Sequence, residues 1–419
     1  MLTKPKKIKN IYFDHAATTQ LDSRVFLAMQ PYFTKIYGNP SSLYREGVKA
    51  GSVLNGSRRV IAQFLGALPE NIIFTGSGTE SDNMAIYGIA HAHAQHSKPA
   101  SPSAAQPFGA TAPSNSAGRH IISTAIEHHA VLRPLEDLKK QGWEITYVRV
   151  NGKGVVDAED VIKAIRPDTV LISVMHANNE IGVIEPIAEI GRKLLQYRKE
   201  KNTPYPFFHT DACQSAGYLD LDVEKLHVDL MTINSGKIYG PKGVGALYIR
   251  RGVTLKPLIL GGDQERKLRA GTENLPGIVG LAKALELVQA NKDKESKRLD
   301  GLVKYFWEKL RKQIHNVKLN GPEIGSQRLV NNLNVSFTGT EGEAMLLYLD
   351  EYGIMCSTGS ACAADSLDAS HVLKAVGTSY ENSRGALRFT LGHSNTKQDI
   401  DYLMKYLPQV VAQQRAISR

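Results

Sequence analysis

Lys237 lies in Asn234-Ser-Gly-Lys-Ile-Tyr-Gly-Pro-Lys-Gly-Val-Gly245, between an apolar run and a turn rich in glycine and proline. A lysine there, 26 residues after Asp211, suits covalent attachment of an aldehyde cofactor. A surface role for Lys237 and Lys242 is the plain alternative. Asp211 closes the apolar run Phe207-Phe-His-Thr-Asp211, and Gln214 follows three residues on. A carboxylate where a buried strand ends can hold a proton on a heteroaromatic nitrogen, or it can simply cap a helix. Thr75-Gly-Ser-Gly-Thr-Glu-Ser-Asp-Asn83 follows a strand pattern and opens a helix. Its small residues, Gly78 and Thr79 among them, let backbone N–H groups reach an anion at a helix N-terminus. The segment lacks the glycine spacing of a dinucleotide fingerprint and the Gly-Lys-Ser/Thr ending of a P-loop, so a tight strand–helix turn also accounts for it. Cys362 belongs to Gly353-Ile-Met-Cys-Ser-Thr-Gly-Ser-Ala-Cys-Ala-Ala364, a stretch of small residues that reads as a loop presenting a thiol. Zinc is a poor alternative, because Cys356 and Cys362 have no paired Cys/His set. Arg388, in Arg384-Gly-Ala-Leu-Arg-Phe-Thr-Leu-Gly392, can fork onto a carboxylate or cover a sheet face. His91, His93 and His96 read more simply as a solvated helix end than as a metal patch.

Residues so scattered need a framework. Between residues 71 and 250, short apolar runs alternate with helical patterns. Ile72–Thr75, His120–Ser123, Thr146–Val150, Thr169–Met175, Pro206–Thr210, Leu230–Ile233 and Gly245–Ile249 read as strands. Seven strands with covering helices predict an α/β fold with a mainly parallel sheet. After Gly261-Gly262, the apolar spacing from Leu281 to about Ile314 predicts one long helix. Strands at Asn332–Phe337 and Ala386–Leu391, with terminal helices, predict a smaller α+β domain. The expected division is 15–262 for the large domain, with 1–14 and 263–419 in the small one. Residues 94–118 interrupt this texture: 18 of these 25 residues are Ala, Ser, Pro or Gly, which predicts a mobile surface insertion.

Composition narrows the function classes. The 419 residues carry 51 Lys+Arg and 41 Asp+Glu, a formal charge of +10. That excess is diffuse, with no basic run interleaved with aromatics, so direct nucleic-acid binding is not expected and an acidic protein partner is compatible. No apolar run approaches a membrane span, and the basic N-terminus lacks the apolar core of a secretory signal. Three cysteines cannot form a disulfide framework, which suits a reducing cytoplasm.

Taken in order, these segments resemble the cysteine desulfurases, pyridoxal-phosphate enzymes of fold type I in the class V aminotransferase group. The resemblance rests on Tyr12-Phe-Asp-His-Ala-Ala-Thr-Thr19, Thr79-Glu-Ser-Asp-Asn83, Glu127-His-His-Ala-Val131, Met175-His-Ala-Asn-Asn-Glu-Ile-Gly182, Lys237-Ile-Tyr-Gly-Pro-Lys-Gly243 and Ser357-Thr-Gly-Ser-Ala-Cys362. The last resembles the group I subfamily that feeds iron–sulfur assembly. It implies that Lys237 holds the cofactor covalently and later moves protons, that Asp211 pairs with the pyridine nitrogen, and that His128 stacks on the ring. It further implies that Gln214 bonds the phenolic oxygen, that Gly78 and Thr79 bind phosphate, and that Thr272 reaches across from a second subunit of a homodimer. Asn179 and Arg388 would hold the carboxylate of L-cysteine, and Cys362 would take its sulfur as a persulfide, for transfer to an iron–sulfur scaffold or a sulfur carrier for tRNA thiolation. Two alternatives are a class V aminotransferase or lyase without thiol chemistry, and a non-catalytic member of a sulfur-transfer complex. The chain departs from the family at Asn234-Ser235-Gly236, where Ser-x-His normally supplies two phosphate ligands. Ser235 is the expected substitute. Tyr44 replaces a common His, and Cys213 replaces the usual Thr.

Overall fold

The computed structural model describes residues 8–95, 119–325, 327–358 and 370–417. Most of the expected insertion, and the 359–369 segment with Cys362, lie outside the described residues.

The chain opens with β1 (Ile11–Tyr12). There follow β2 (Ile72–Thr75), β3 (His120–Thr124), β4 (Glu144–Val148) and β5 (Thr169–Ser173). Next are β6 (Phe207–Asp211), β7 (Leu230–Asn234) and β8 (Gly245–Ile249). These seven strands, β2 to β8, form one sheet in the order β2-β8-β7-β6-β5-β3-β4. All neighbours are parallel except that β8 runs antiparallel to both β2 and β7. The fold is therefore α/β with a seven-stranded, mostly parallel sheet. β2, β3, β5, β6 and β8 are buried at every position, as strands covered on both faces must be. Helices Arg45–Leu65, Gly78–Gln95, His129–Lys140 and Ile187–Lys201 bury their apolar residues in the same cores as the strands.

A second core forms around β9 (Val317–Leu319), β10 (Asn332–Phe337), β11 (Ile354–Met355) and β12 (Ala386–Thr390). β12, β10 and β9 make an antiparallel sheet, and β1 pairs in parallel with β11. Phe13, just after β1, is fully buried against Phe306 and Phe389, so the N-terminus is sewn into this second core.

The single helix expected over 281–314 is two: Leu275–Ala290 and Lys292–Gln313, separated at Asn291. The Asn291 side chain donates back to the Leu287 carbonyl, the kind of local bond by which asparagine competes with a helical ladder. The first of the two packs against helix Arg45–Leu65 in the large-sheet core, while the second lies in the smaller core. The apolar period runs through the break, so it could not reveal that the two halves serve different cores.

Candidate active site

At the carboxyl ends of the parallel strands, where open α/β sheets take ligands, lies a pocket of about 290 Å³. Each wall comes from a strand-to-helix turn. Gly78 and Thr79 begin helix Gly78–Gln95 after β2, and His128 caps helix His129–Lys140 after β3. Asn179 follows β5, Asp211 ends β6 with Gln214 beyond it, and Asn234 ends β7 before the tight turn Ser235–Lys237. Arg388 reaches in from β12 of the smaller core. Eight of the residues expected from the sequence therefore share one pocket: Gly78, Thr79, His128, Asn179, Asp211, Gln214, Lys237 and Arg388.

Lys237 Nζ donates to the carbonyls of Ala16 (2.9 Å) and Ala17 (2.6 Å), and Gln214 Nε2 donates to Ala16 at 2.9 Å. Asp211 Oδ1 accepts the Cys213 N–H at 2.9 Å. His128 Nδ1 accepts the Ala130 N–H at 3.1 Å, so the neutral ring carries its proton on Nε2. Burial, ahead of the charges around it, lowers the His128 pKa and favours that neutral form. Gly78 is a cradle no other residue could form. A Cβ there would lie 2.7 Å from Cys213 Sγ and 3.2 Å from Asn234 Cβ.

One side of the pocket is organised around Arg388, which is 2% exposed. Its Nη1 donates to the Asn179 carbonyl at 2.9 Å and its Nη2 to Asp14 Oδ1 at 2.7 Å. Asn178 fixes that turn by accepting the Glu180 and Ile181 N–H groups and donating to Ile126. Glu180, also in the wall, accepts from Ser370 Oγ at 2.5 Å, and burial pushes it up to about 7. His371, whose Nε2 donates to the Glu127 carbonyl at 2.9 Å, completes this rim with His129.

Two expected residues, Ser235 and Thr272, do not line this pocket. Ser235 is a correction: it is 0% exposed, and its Oγ is directed at Gly240, where an added Cβ would come within 2.0 Å. The single 3₁₀ turn Ser235–Lys237 that follows β7 puts residues three apart on one side, so Asn234 and Lys237 line the pocket and Ser235 does not. Asn234 holds the place that was expected of Ser235. Its Oδ1 accepts the Gly236 N–H at 3.1 Å, which turns its Nδ2 toward Gly78. Thr272 lies beside a separate small cavity with Gly76, Arg269 and Glu273 of its own chain. Cys362 is outside the described residues. The two described cysteines, Cys213 and Cys356, are buried, and burial raises both thiols.

The sequence reading missed Asp82, Glu180 and His371 as wall residues, and Asp14 as the partner of Arg388. For Asp82 a signal existed: it stands three and four residues after Thr79 and Gly78, the spacing that shares a helix face. Among the described residues no group of three or more His, Cys, Asp or Glu could hold a metal ion, and no helix is long and apolar enough to cross a membrane.

The aminotransferase class-V family matches residues 11–100 and 104–403. Cysteine desulfurase IscS of Dictyoglomus turgidum is 46% identical over 410 residues, covering 98% of this chain and 96% of the relative. Cysteine desulfurase IscS of Methanosarcina thermophila is 45% identical, with 98% and 94% covered. Among solved structures, a NifS-like protein superposes with a TM-score of 0.84 at 34% identity, covering 97% of this chain and 100% of that one. SspA in complex with cysteine gives 0.75 at 34% identity, with 91% and 98% covered.

Proposed function

Because the chain belongs to the cysteine desulfurases of the aminotransferase class-V family, we propose that it removes sulfur from L-cysteine with pyridoxal 5′-phosphate, releasing L-alanine and passing the sulfur on from Cys362. One observation carries the reading: a lysine amine and a buried carboxylate face one pocket whose far side presents an arginine fork. The residues fit the cofactor. Gly78 and Thr79 open a helix in the pocket wall, where backbone N–H groups can take a phosphate, Asp211 offers a carboxylate for a ring N–H, and Lys237 brings the only amine that lines the described pocket.

When bound, pyridoxal phosphate supplies an aldehyde for an amino group and a conjugated ring that takes up electron density. The protein does the rest. Gly78, Thr79 and Asn234 would hold the phosphate, Asp211 would keep a proton on the ring nitrogen, and the neutral His128 would stack on the ring. Gln214 would bond the phenolic oxygen. Arg388 and Asn179 would orient the substrate carboxylate, and Lys237 would take the Cα proton. The Cys362 thiolate then attacks the substrate sulfur. An S–S bond forms, the C–S bond breaks, and its electron pair remains with the substrate carbon. That carbon takes a proton and leaves as the methyl group of alanine.

Exposed Phe26, Leu27, Phe33 and Tyr37 near the N-terminus support a homodimer, in which Thr272 of one subunit would complete the other's site. An iron–sulfur scaffold or sulfur-carrier protein is the acceptor this reading calls for, and the cytoplasm is the compartment. For the domains we propose a large unit of 15–262 and a small one of 1–14 and 263–419, with helix Leu275–Ala290 docked onto the large unit. The test is alanine release from L-cysteine together with borohydride trapping of the cofactor on Lys237. Transamination without alanine, or an adduct on Lys242, would overturn the reading.

A further inference from the structure

On the floor of the pocket, beside Asp211, stands a second carboxyl. Asp82 is 1% exposed and lines the same cavity. It comes from the first turns of helix Gly78–Gln95, which hold Gly78 and Thr79 against the cavity on the same face. Its Oδ1 is buried without a hydrogen-bond partner. His209 Nε2 lies 3.6 Å from that oxygen. His209 sits two residues before Asp211 on β6, so strand alternation puts both on one face of the sheet.

His209 supplies no positive charge to Asp82. Its Nδ1 is bonded to Ser173 Oγ at 2.9 Å and its Nε2 to Thr232 Oγ1 at 3.1 Å, and burial lowers its pKa to about 4. The groups that act most on Asp82 are acidic or neutral: Asp211 from β6, Glu127 after β3, and Thr232 on β7, whose hydroxyl bonds Asp82 and partly opposes the shift. Lys237 lines the same cavity, but its ammonium is held on the Ala16 and Ala17 carbonyls. Burial first, and then the charge of Asp211, raise the Asp82 pKa well above the ordinary carboxyl range. A carboxyl so enclosed, with one oxygen unpartnered and no cation in contact, keeps its proton.

We propose that Asp82 is a neutral carboxylic acid beside the Asp211 carboxylate, so that the ring nitrogen of the bound cofactor would meet a single negative charge on the pocket floor. The assignment rests on the pyridoxal-phosphate reading above. Asp82 has no cation in contact and one oxygen without a partner, so ionising it would bury a second negative charge beside Asp211. Asp82 thereby keeps the floor at a single negative charge, matched to a single ring N–H. It also keeps a proton within reach of Asp211 when that ring bond is made or broken. Asp82 is a positioning residue: it acts on the cofactor through Asp211.

The experiment uses the holoenzyme and follows the visible absorption of the bound cofactor from mildly acid to alkaline pH, in wild type, Asp82→Asn and Thr232→Val. Asparagine keeps the shape and neutrality of the acid but cannot ionise. Asp82→Asn is expected to load cofactor within about twofold of wild type and to lose one alkaline titration step that wild type shows. Thr232→Val is expected to keep that step at a shifted pH. Infrared spectra provide an independent readout: the protonated-carboxyl band of wild type should lose one component in Asp82→Asn, while the component from Glu127 remains. An Asp82→Asn holoenzyme with the same titration steps and the same carboxyl band as wild type would overturn the proposal. Failure of wild type to bind the cofactor at all would instead overturn the functional reading on which it rests.

Discussion

Replacing Asn234 by alanine removes the one side-chain amide that lies over Gly78 at the start of helix Gly78–Gln95. Because a backbone N–H can only donate, the bond from Gly236 identifies Oδ1 as the acceptor and leaves Nδ2 turned to the place a phosphate would occupy. A hydrogen bond to a charged group contributes about 1.5–3 kcal/mol. Its loss should therefore weaken cofactor binding by about 10- to 150-fold. Ser235→Ala is the matched control: its hydroxyl is wholly buried on the other side of the chain, so cofactor affinity should stay within about twofold. The assay is equilibrium dialysis of both variants against graded pyridoxal phosphate, read by bound-cofactor absorbance, with circular dichroism to confirm folding. Ser235→Ala losing cofactor as strongly as Asn234→Ala, or Asn234→Ala losing none, would refute the assignment. The Gly236 position has room to spare, since a Cβ there meets nothing closer than 3.7 Å, so Gly236→His should fold and hold cofactor at least as firmly as wild type.

Lys237→Ala should abolish alanine formation and the borohydride-trapped adduct, both read by mass spectrometry. Cys362→Ser should still perturb the cofactor spectrum on adding cysteine yet release almost no alanine, while Cys213→Ser and Cys356→Ser, whose thiols are buried and raised, should retain activity. Arg388→Lys keeps the charge but loses the fork, so KM for cysteine should rise by about tenfold or more in steady-state assays. Burial pushes Glu127 up to about 8, so the folded state binds more protons there than the unfolded chain, and its contribution declines as pH rises from about 4.5 through 8. Denaturant titrations should accordingly show Glu127→Gln gaining on wild type across that window, by at most about 1.4 kcal/mol per pH unit.

Most of the large sheet was legible because its strands are unbroken apolar runs, the pattern that burial on both faces demands. The antiparallel setting of β8 was not, since run composition carries no direction. β1 and β11, two residues each, and the three-residue β9 are too short to show any period, and they exist by pairing with partners far along the chain. In the site, Asp211 could be read because it ends a strand, and Lys237 because it lies between a strand and a turn rich in glycine and proline. Ser235 was mistaken for a pocket residue because adjacent residues of a 3₁₀ turn point to different sides, and one step along the chain decides between Asn234 and Ser235. Asp14 was invisible as a partner of Arg388, since 374 residues separate them.

The segment from Asp14 to Ala17 sets a limit on how tightly this enzyme can hold what it binds. The Ala16 and Ala17 carbonyls accept the lysine ammonium, and Asp14 accepts the guanidinium, so three residues of this one short segment occupy two different cationic side chains. Arrival of a carboxylate at Arg388 is then an exchange of one anion for another, with the arginine already stripped of water and aimed. Such an exchange gains little affinity, because the displaced oxygen was nearly as good a partner, but it needs little reorganisation in either direction. On the proposed function, the same anion would stay tethered beside the fork when product leaves.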